Sequence, residues 1–184
     1  MKGIEIFFKT LIKDKVDHIF SPPNSFRPEV DKIFDKKFKN LVKNVISGNE
    51  QGASHMADGY ARVTGKPGVV VCDSDTSGTN TITGLQTANM DSAPIVVFIC
   101  HFSEDDKLSN VFNQIDHIGI SRSTTKHNFL VEDVMDLSRI VREALYLSVT
   151  GRPGAILVDI PKHVLFSEYK FNFPKIDKVS GYSI

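Results

Sequence analysis

Ile95-Val96-Val97-Phe98-Ile99-Cys100 decides the fold, because six apolar residues in a row leave neither face of a strand for water. A strand with one wet face alternates polar and apolar residues. An uninterrupted run this short reads as a parallel strand covered on both sides. Two similar runs flank it, Gly68 to Cys72 before and Ala155 to Ile160 after. Further outward the pattern alternates. Ile4, Phe7, Phe8, Leu11 and Ile12 recur at helical spacing, and Val16 to Phe20 is a short apolar run closed by Ser21-Pro22-Pro23. Helices are predicted over Pro28 to Phe34, Glu50 to Val63 and about Ser77 to Met90, with strands at Leu41 to Ile46 and Ser123 to Phe129. Val134, Leu137, Ile140, Val141, Ala144 and Leu145 mark the clearest amphipathic helix. Strands separated by helix-length segments predict an α/β domain, doubly wound, with a mainly parallel sheet and helices on both faces. The domain is expected over residues 1–165. Residues 166–184 lack periodicity and read as a linker or a truncated tail.

Composition narrows the function classes. The 184 residues carry 22 Lys plus Arg against 22 Asp plus Glu. Zero formal charge offers no broad basic footprint for nucleic acid or an anionic membrane, so neither is expected as a partner. The longest apolar stretch, Ala93 to Cys100, is far short of the ~20 residues that span a bilayer. The amino terminus carries charges among its apolar positions and reads as a helix, not a signal peptide. Cys72 and Cys100 both end apolar runs, where a thiol behaves as a small hydrophobe, so a reduced, cytoplasmic chain is expected.

In doubly wound folds ligands sit beyond the carboxyl ends of the strands. Those positions here are Ser21-Pro22-Pro23-Asn24-Ser25, Ser47-Gly48-Asn49-Glu50-Gln51, Asp73-Ser74-Asp75-Thr76-Ser77-Gly78, and His101 onward. There is no Gly-x-Gly-x-x-Gly, no phosphate loop, no His-Glu-x-x-His and no Gly-x-Ser-x-Gly. His101 with Glu104, Asp105 and Asp106 reads as a solvated acidic loop, and no metal site is expected. Glu50 directly follows a strand and opens a helix rich in small residues. Taken alone it reads as a helix-dipole and capping residue.

The stretch Asn49-Glu50-Gln51-Gly52-Ala53-Ser54-His55-Met56-Ala57-Asp58-Gly59-Tyr60-Ala61-Arg62-Val63-Thr64-Gly65-Lys66-Pro67-Gly68 resembles the helix-opening motif of thiamine-diphosphate-dependent enzymes. Among these, the catalytic subunits of acetolactate synthase (acetohydroxyacid synthase) are most similar. Further matches are Thr79-Asn80, Met90-Asp91-Ser92-Ala93-Pro94, Ile118-Gly119-Ile120-Ser121-Arg122, Thr125 to Val131, and Thr150-Gly151-Arg152-Pro153-Gly154 leading into Val158-Asp159-Ile160-Pro161-Lys162. The similarity runs to about Val164, with its motifs in the family's order.

The resemblance implies an amino-terminal, pyrimidine-binding domain. The Glu matching Glu50 would hydrogen-bond a ring nitrogen of the cofactor's aminopyrimidine and relay a proton, making it the catalytic residue. Glu50, Thr79 and Asn80 are the implied thiamine diphosphate contacts, and Ser25, Phe112, Asn113 and Lys126 the implied substrate contacts. The implied reaction decarboxylates a 2-oxo acid (pyruvate) and ligates the carbanion to a second 2-oxo acid. The family holds diphosphate and magnesium with a Gly-Asp-Gly motif and a later Asn-Asn in a separate domain, and neither motif occurs here. The middle domain that contributes to FAD binding is absent as well. The chain is therefore expected to be inactive by itself, and to work as a homodimer or with a partner chain or domain that carries the diphosphate site. FAD belongs, if anywhere, to the full-length enzyme.

The loops depart from the family pattern where chemistry would occur. Its Gly-rich first turn is Ser21 to Ser25 here, its Gly-Pro-Gly is Asp75-Thr76-Ser77, the His before its Glu is Asn49, and its Phe-Gln-Glu is Phe112-Asn113-Gln114. Replacing glycine with Asp and Ser changes both loop shape and charge. Two readings follow: a catalytic pyrimidine-domain fragment, and a non-catalytic relative that keeps the domain for binding or oligomerisation. An unrelated flavodoxin-like nucleotide binder would need a phosphate loop, which is missing.

Overall fold

The computed structural model describes residues 1–23, 25, 26, 28–73, 76–101, 115–173, 179 and 182. Six strands form one sheet in the order β2-β1-β3-β4-β6-β5, every pair parallel. They are β1 (His18–Ser21), β2 (Lys43–Ile46), β3 (Gly68–Asp73), β4 (Ile95–Cys100), β5 (His127–Leu130) and β6 (Ala155–Ile160). The helices are α1 (Gly3–Lys13), α2 (Pro28–Lys37), α3 (Glu50–Thr64), α4 (Ile82–Met90), α5 (His117–Ser121), α6 (Val134–Val149) and α7 (Lys162–Phe166), with a 3-10 helix over Thr76–Thr81. This is the doubly wound parallel architecture that the apolar runs predict.

Alternation along the central strands builds two cores. Val69, Val71, Val96, Phe98, Ile156 and Val158 pack with α1, α2, α6 and α7 on one face. Val70, Cys72, Val97, Ile99 and Leu157 pack with Ala53, Ala57 and Ala61 of α3 and Leu85 and Ala88 of α4 on the other. Both faces are dry, so β4 and β6 are buried at every residue. The edge strands β2 and β5 have no fully buried residue.

Boundaries shift where local hydrogen bonds compete with the sheet. The Leu41 and Val42 amides bond back to the Phe38 carbonyl, so β2 starts only at Lys43. Thr124 and Thr125 donate their hydroxyls to the Ser121 carbonyl, so that segment turns and β5 starts at His127. The helix expected from Ser77 opens as the 3-10 turn, where the Thr81 hydroxyl bonds the Gly78 carbonyl, and becomes α-helical at Ile82. The five-residue helices α5 and α7 are too short to show a periodicity.

The chain after α7 runs back along the amino terminus. Lys2 and Glu168 form an antiparallel bridge, and Met1 and Tyr169 exchange backbone hydrogen bonds. Tyr169, Phe171, Val179 and Tyr182 pack against the first core. Among the described residues, no helix is long and apolar enough to cross a membrane.

Candidate functional site

From β1 the chain moves outward to β2 and then returns across the sheet to β3, so the strand order reverses between β1 and β3. The carboxyl ends of such strands border the crevice where open α/β sheets bind ligands. α3 makes the return crossing, and Glu50 is its first residue. The turn before it is tightly tied: the Ser47 amide and hydroxyl both donate to the Ser21 carbonyl, and that hydroxyl also lies 2.6 Å from the Asn49 carbonyl. Asn49 is the N-cap, its Oδ1 accepting from the Gly52 amide at 2.7 Å. Capping is thus done by Asn49, and the Glu50 carboxylate is left for other partners.

Its partner is Asn80, whose Nδ2 donates to Glu50 Oε2 at 3.1 Å. Thirty residues separate the two in sequence, and the 3-10 turn after β3 brings Asn80 over the start of α3. Thr79 is its neighbour in the same turn, so the three implied cofactor residues share one place. Glu50 is partly exposed, and among the described residues no lysine or arginine pairs with it. Negative charge gathers at this edge. Burial pushes the Cys72 thiol up, and the nearby Glu50, Asp73 and Asp159 carboxylates push it further. Cys100 is shifted the same way by its burial, Cys72, Asp73 and Asp159. Both thiols stay protonated and unreactive.

Of the implied substrate residues, Ser25 and Lys126 are among the described residues. Ser25 is buried, with its hydroxyl donating to the Pro22 carbonyl at 2.7 Å. Lys126 precedes β5 and so lies at the opposite, amino-terminal edge of the sheet. Its Nζ donates to the Leu147 and Thr150 carbonyls, both at 2.6 Å, closing the end of α6. Phe112, Asn113 and Asp75 lie outside the described residues. A surface cavity of about 400 Å³ beside Lys126, Arg152 and Tyr182 is likewise on the edge away from Glu50.

A second group at the carboxyl edge has no counterpart in the sequence reading. His101 follows β4, Asp159 is the fifth residue of β6, and His117 opens α5. His101 Nε2 lies 2.5 Å from Asp159 Oδ1, and His117 Nδ1 lies 3.5 Å from Oδ2 of the same carboxylate. Burial raises the Asp159 carboxyl, but the two histidines beside it outweigh that and hold it below its ordinary value. Glu104, Asp105 and Asp106, which the sequence sets beside His101, lie outside the described residues. β6 is adjacent to β4 although β5 comes between them in sequence, so no local pattern announces this group.

Comparison with known proteins agrees with this architecture. Residues 1–120 match the family described as thiamine pyrophosphate enzyme, N-terminal TPP binding domain. The acetolactate synthase large subunit of Buchnera aphidicola subsp. Schizaphis graminum is 40% identical over 186 residues, covering 100% of this chain and 32% of that protein. The large subunit of Cyanidium caldarium is 40% identical over 163 residues, 88% of this chain and 28% of its own length. Acetolactate synthase of Mycobacterium bovis is 38% identical over 183 residues, 99% of this chain and 29% of its own length. The chain thus spans about a third or less of the curated relatives it matches. A parallel sheet reversing between β1 and β3, a glutamate opening the return helix and a family match over residues 1–120 of 184 lead to one assignment: the chain belongs to the thiamine pyrophosphate enzymes, as an N-terminal TPP binding domain.

Proposed function

We propose that this chain supplies the pyrimidine side of an acetolactate-synthase-like active site, with Glu50 as the proton relay. The observation that carries this reading is the state of the Glu50 carboxylate: among the described residues it neither caps its helix nor enters an ion pair, and Asn80 is its one hydrogen-bond partner. One of its oxygens accepts from Asn80, and the other, when protonated, would donate to a ring nitrogen of an aminopyrimidine. When bound, thiamine diphosphate supplies the carbon nucleophile that attacks a 2-oxo acid such as pyruvate. Glu50 would hold or give up a proton at the ring nitrogen, Asn80 would keep its carboxyl oriented, and Thr79 would contact the cofactor.

In this chain Glu50 is only partly shielded from water. A partner covering the start of α3 would dry the carboxyl and favour its neutral form, which is the form that shares a proton. That partner carries the diphosphate and magnesium site, and any FAD belongs to a middle domain. The outer face of α3, where Gly52, Met56, Gly59 and Val63 fall at helical spacing, is the surface proposed for it, with Met56 38% and Val63 88% exposed. The small residues Ala53, Ala57 and Ala61 serve a different end, since they are buried against the chain's own sheet and α4.

The test is pyruvate consumption by the chain assembled with a diphosphate-binding domain. Glu50→Gln, nearly isosteric, is expected to lower the rate by about 10²–10⁴-fold with the circular dichroism unchanged. An unaltered rate would remove Glu50 from the role. No turnover by the unmodified assembly, despite bound thiamine diphosphate, would instead favour a non-catalytic binding or oligomerisation module.

A further inference from the structure

We propose that His101, His117 and Asp159 form a binding site for one divalent transition-metal ion of the zinc type. Among the described residues they are the one group of three metal-capable side chains that converge, with their ligand atoms all within 4.8 Å of one another. Two imidazoles and a carboxylate are a donor set for zinc, cobalt or nickel; magnesium and calcium take oxygen ligands. The proposal does not rest on the role given to Glu50.

The independent sign is His117. Its side chain is 1% exposed, and among the described residues neither ring nitrogen makes a hydrogen bond. Leaving a buried polar group unsatisfied costs about 1–3 kcal/mol, so such a group calls for an explanation. The ring is also held in place. A Cβ built on Gly78 would fall 2.8 Å from His117 Nε2, so the glycine is what leaves room for that edge of the ring, while Nδ1 faces Asp159.

The 3.5 Å between His117 Nδ1 and Asp159 Oδ2 is long for a hydrogen bond. Two ligands on a tetrahedral zinc, each at about 2.0–2.1 Å, sit about 3.4 Å apart, so this pair is already spaced for an ion. His101 Nε2 lies 2.5 Å from the other carboxylate oxygen and would have to shift to join as the third ligand. Its side chain is 34% exposed and is the most accessible of the three.

Metal-stripped 184-residue protein should take up one zinc per chain in equilibrium dialysis, with a rise in Tm. Cobalt in its place should show the intense visible bands of four-coordinate geometry. His117→Leu and Asp159→Asn should each weaken uptake by about 100-fold or more, while His55→Ala, on the exposed face of α3, leaves it unchanged. Should either variant fail to fold, the ring nitrogen shifts of His117 in the unmodified protein still decide the matter, because they must move on zinc addition. Zinc uptake equal in His117→Leu, uptake lost in His55→Ala, cobalt spectra of six-coordinate type, or unmoved His117 signals would each overturn the site in favour of a metal-free His-Asp contact.

Discussion

Tyr60 donates its phenol to Asp17 Oδ1 at 2.5 Å, and Lys66 Nζ donates to the other oxygen of that carboxylate at 2.7 Å. Lys66, Tyr60 and His18 together hold the Asp17 carboxyl far below its usual range, while burial and then the Asp17 bond push the Tyr60 phenol up to about 12. For Tyr60 the folded pKa is above the unfolded value of about 10, so its contribution to stability is complete below about pH 10 and is lost as pH rises through about 12. Urea unfolding at about pH 9, 10, 11 and 12 should show a steeper alkaline loss for the unmodified chain than for Tyr60→Phe. Parallel curves would show the bond to be inert. Asp17 acts in the opposite direction: its folded pKa is depressed, so its contribution is present above about pH 4 and lost as pH falls further. With 45% of that side chain exposed, its weight in the acid arm is small. Residue types alone did not announce these pairings. Asp17 and Tyr60 are 43 positions apart, and only the seating of α3 beside β1 joins them.

The packing of α3 on β3 sets the limits at the level of elements. A Cβ on Gly68 would lie 2.1 Å from the Ala57 carbonyl oxygen, where backbone meets backbone and neither can rotate away. Gly68→Ala should therefore destabilise the chain by about 1–3 kcal/mol, read as a lowered urea midpoint at unchanged slope. Gly59 is the contrast, because a Cβ added there, on the outer face of the same helix, would meet nothing within 4 Å. Gly59→Ala should stabilise by about 0.5–1 kcal/mol through helix propensity alone. If Gly68→Ala proves neutral, the helix is not seated as closely as that 2.1 Å approach requires. The start and end of α3 were readable in advance, since Asn49 before it and Gly65 after it are residues that cap helices. The start of β5 was not, because Thr124 and Thr125 suit a strand by composition yet spend their hydroxyls on the Ser121 carbonyl.

For the whole molecule, the outer face of α3 leads to a testable assembly. Self-association through Met56, Gly59 and Val63 should appear in sedimentation as a concentration-dependent dimer of the 184-residue chain, and Val63→Asp should shift it to monomer without lowering the Tm. A strict monomer at every concentration would show that this face does not pair with a second copy and would leave it to a diphosphate-binding partner. The sequence by itself determined the parallel α/β class, the three central strands and the placing of Glu50 at a helix start, because burial on both faces and helix capping are written in consecutive residues. It also carried the family through motifs in order. Tertiary structure alone decided which side chains meet: Asn80 on Glu50, Lys126 drawn away to the end of α6, and His101, His117 and Asp159 on one spot. Those meetings depend on strand order, with β6 inserted between β4 and β5, and strand order is set by crossovers that pack distant segments together and not by the local period of any one of them.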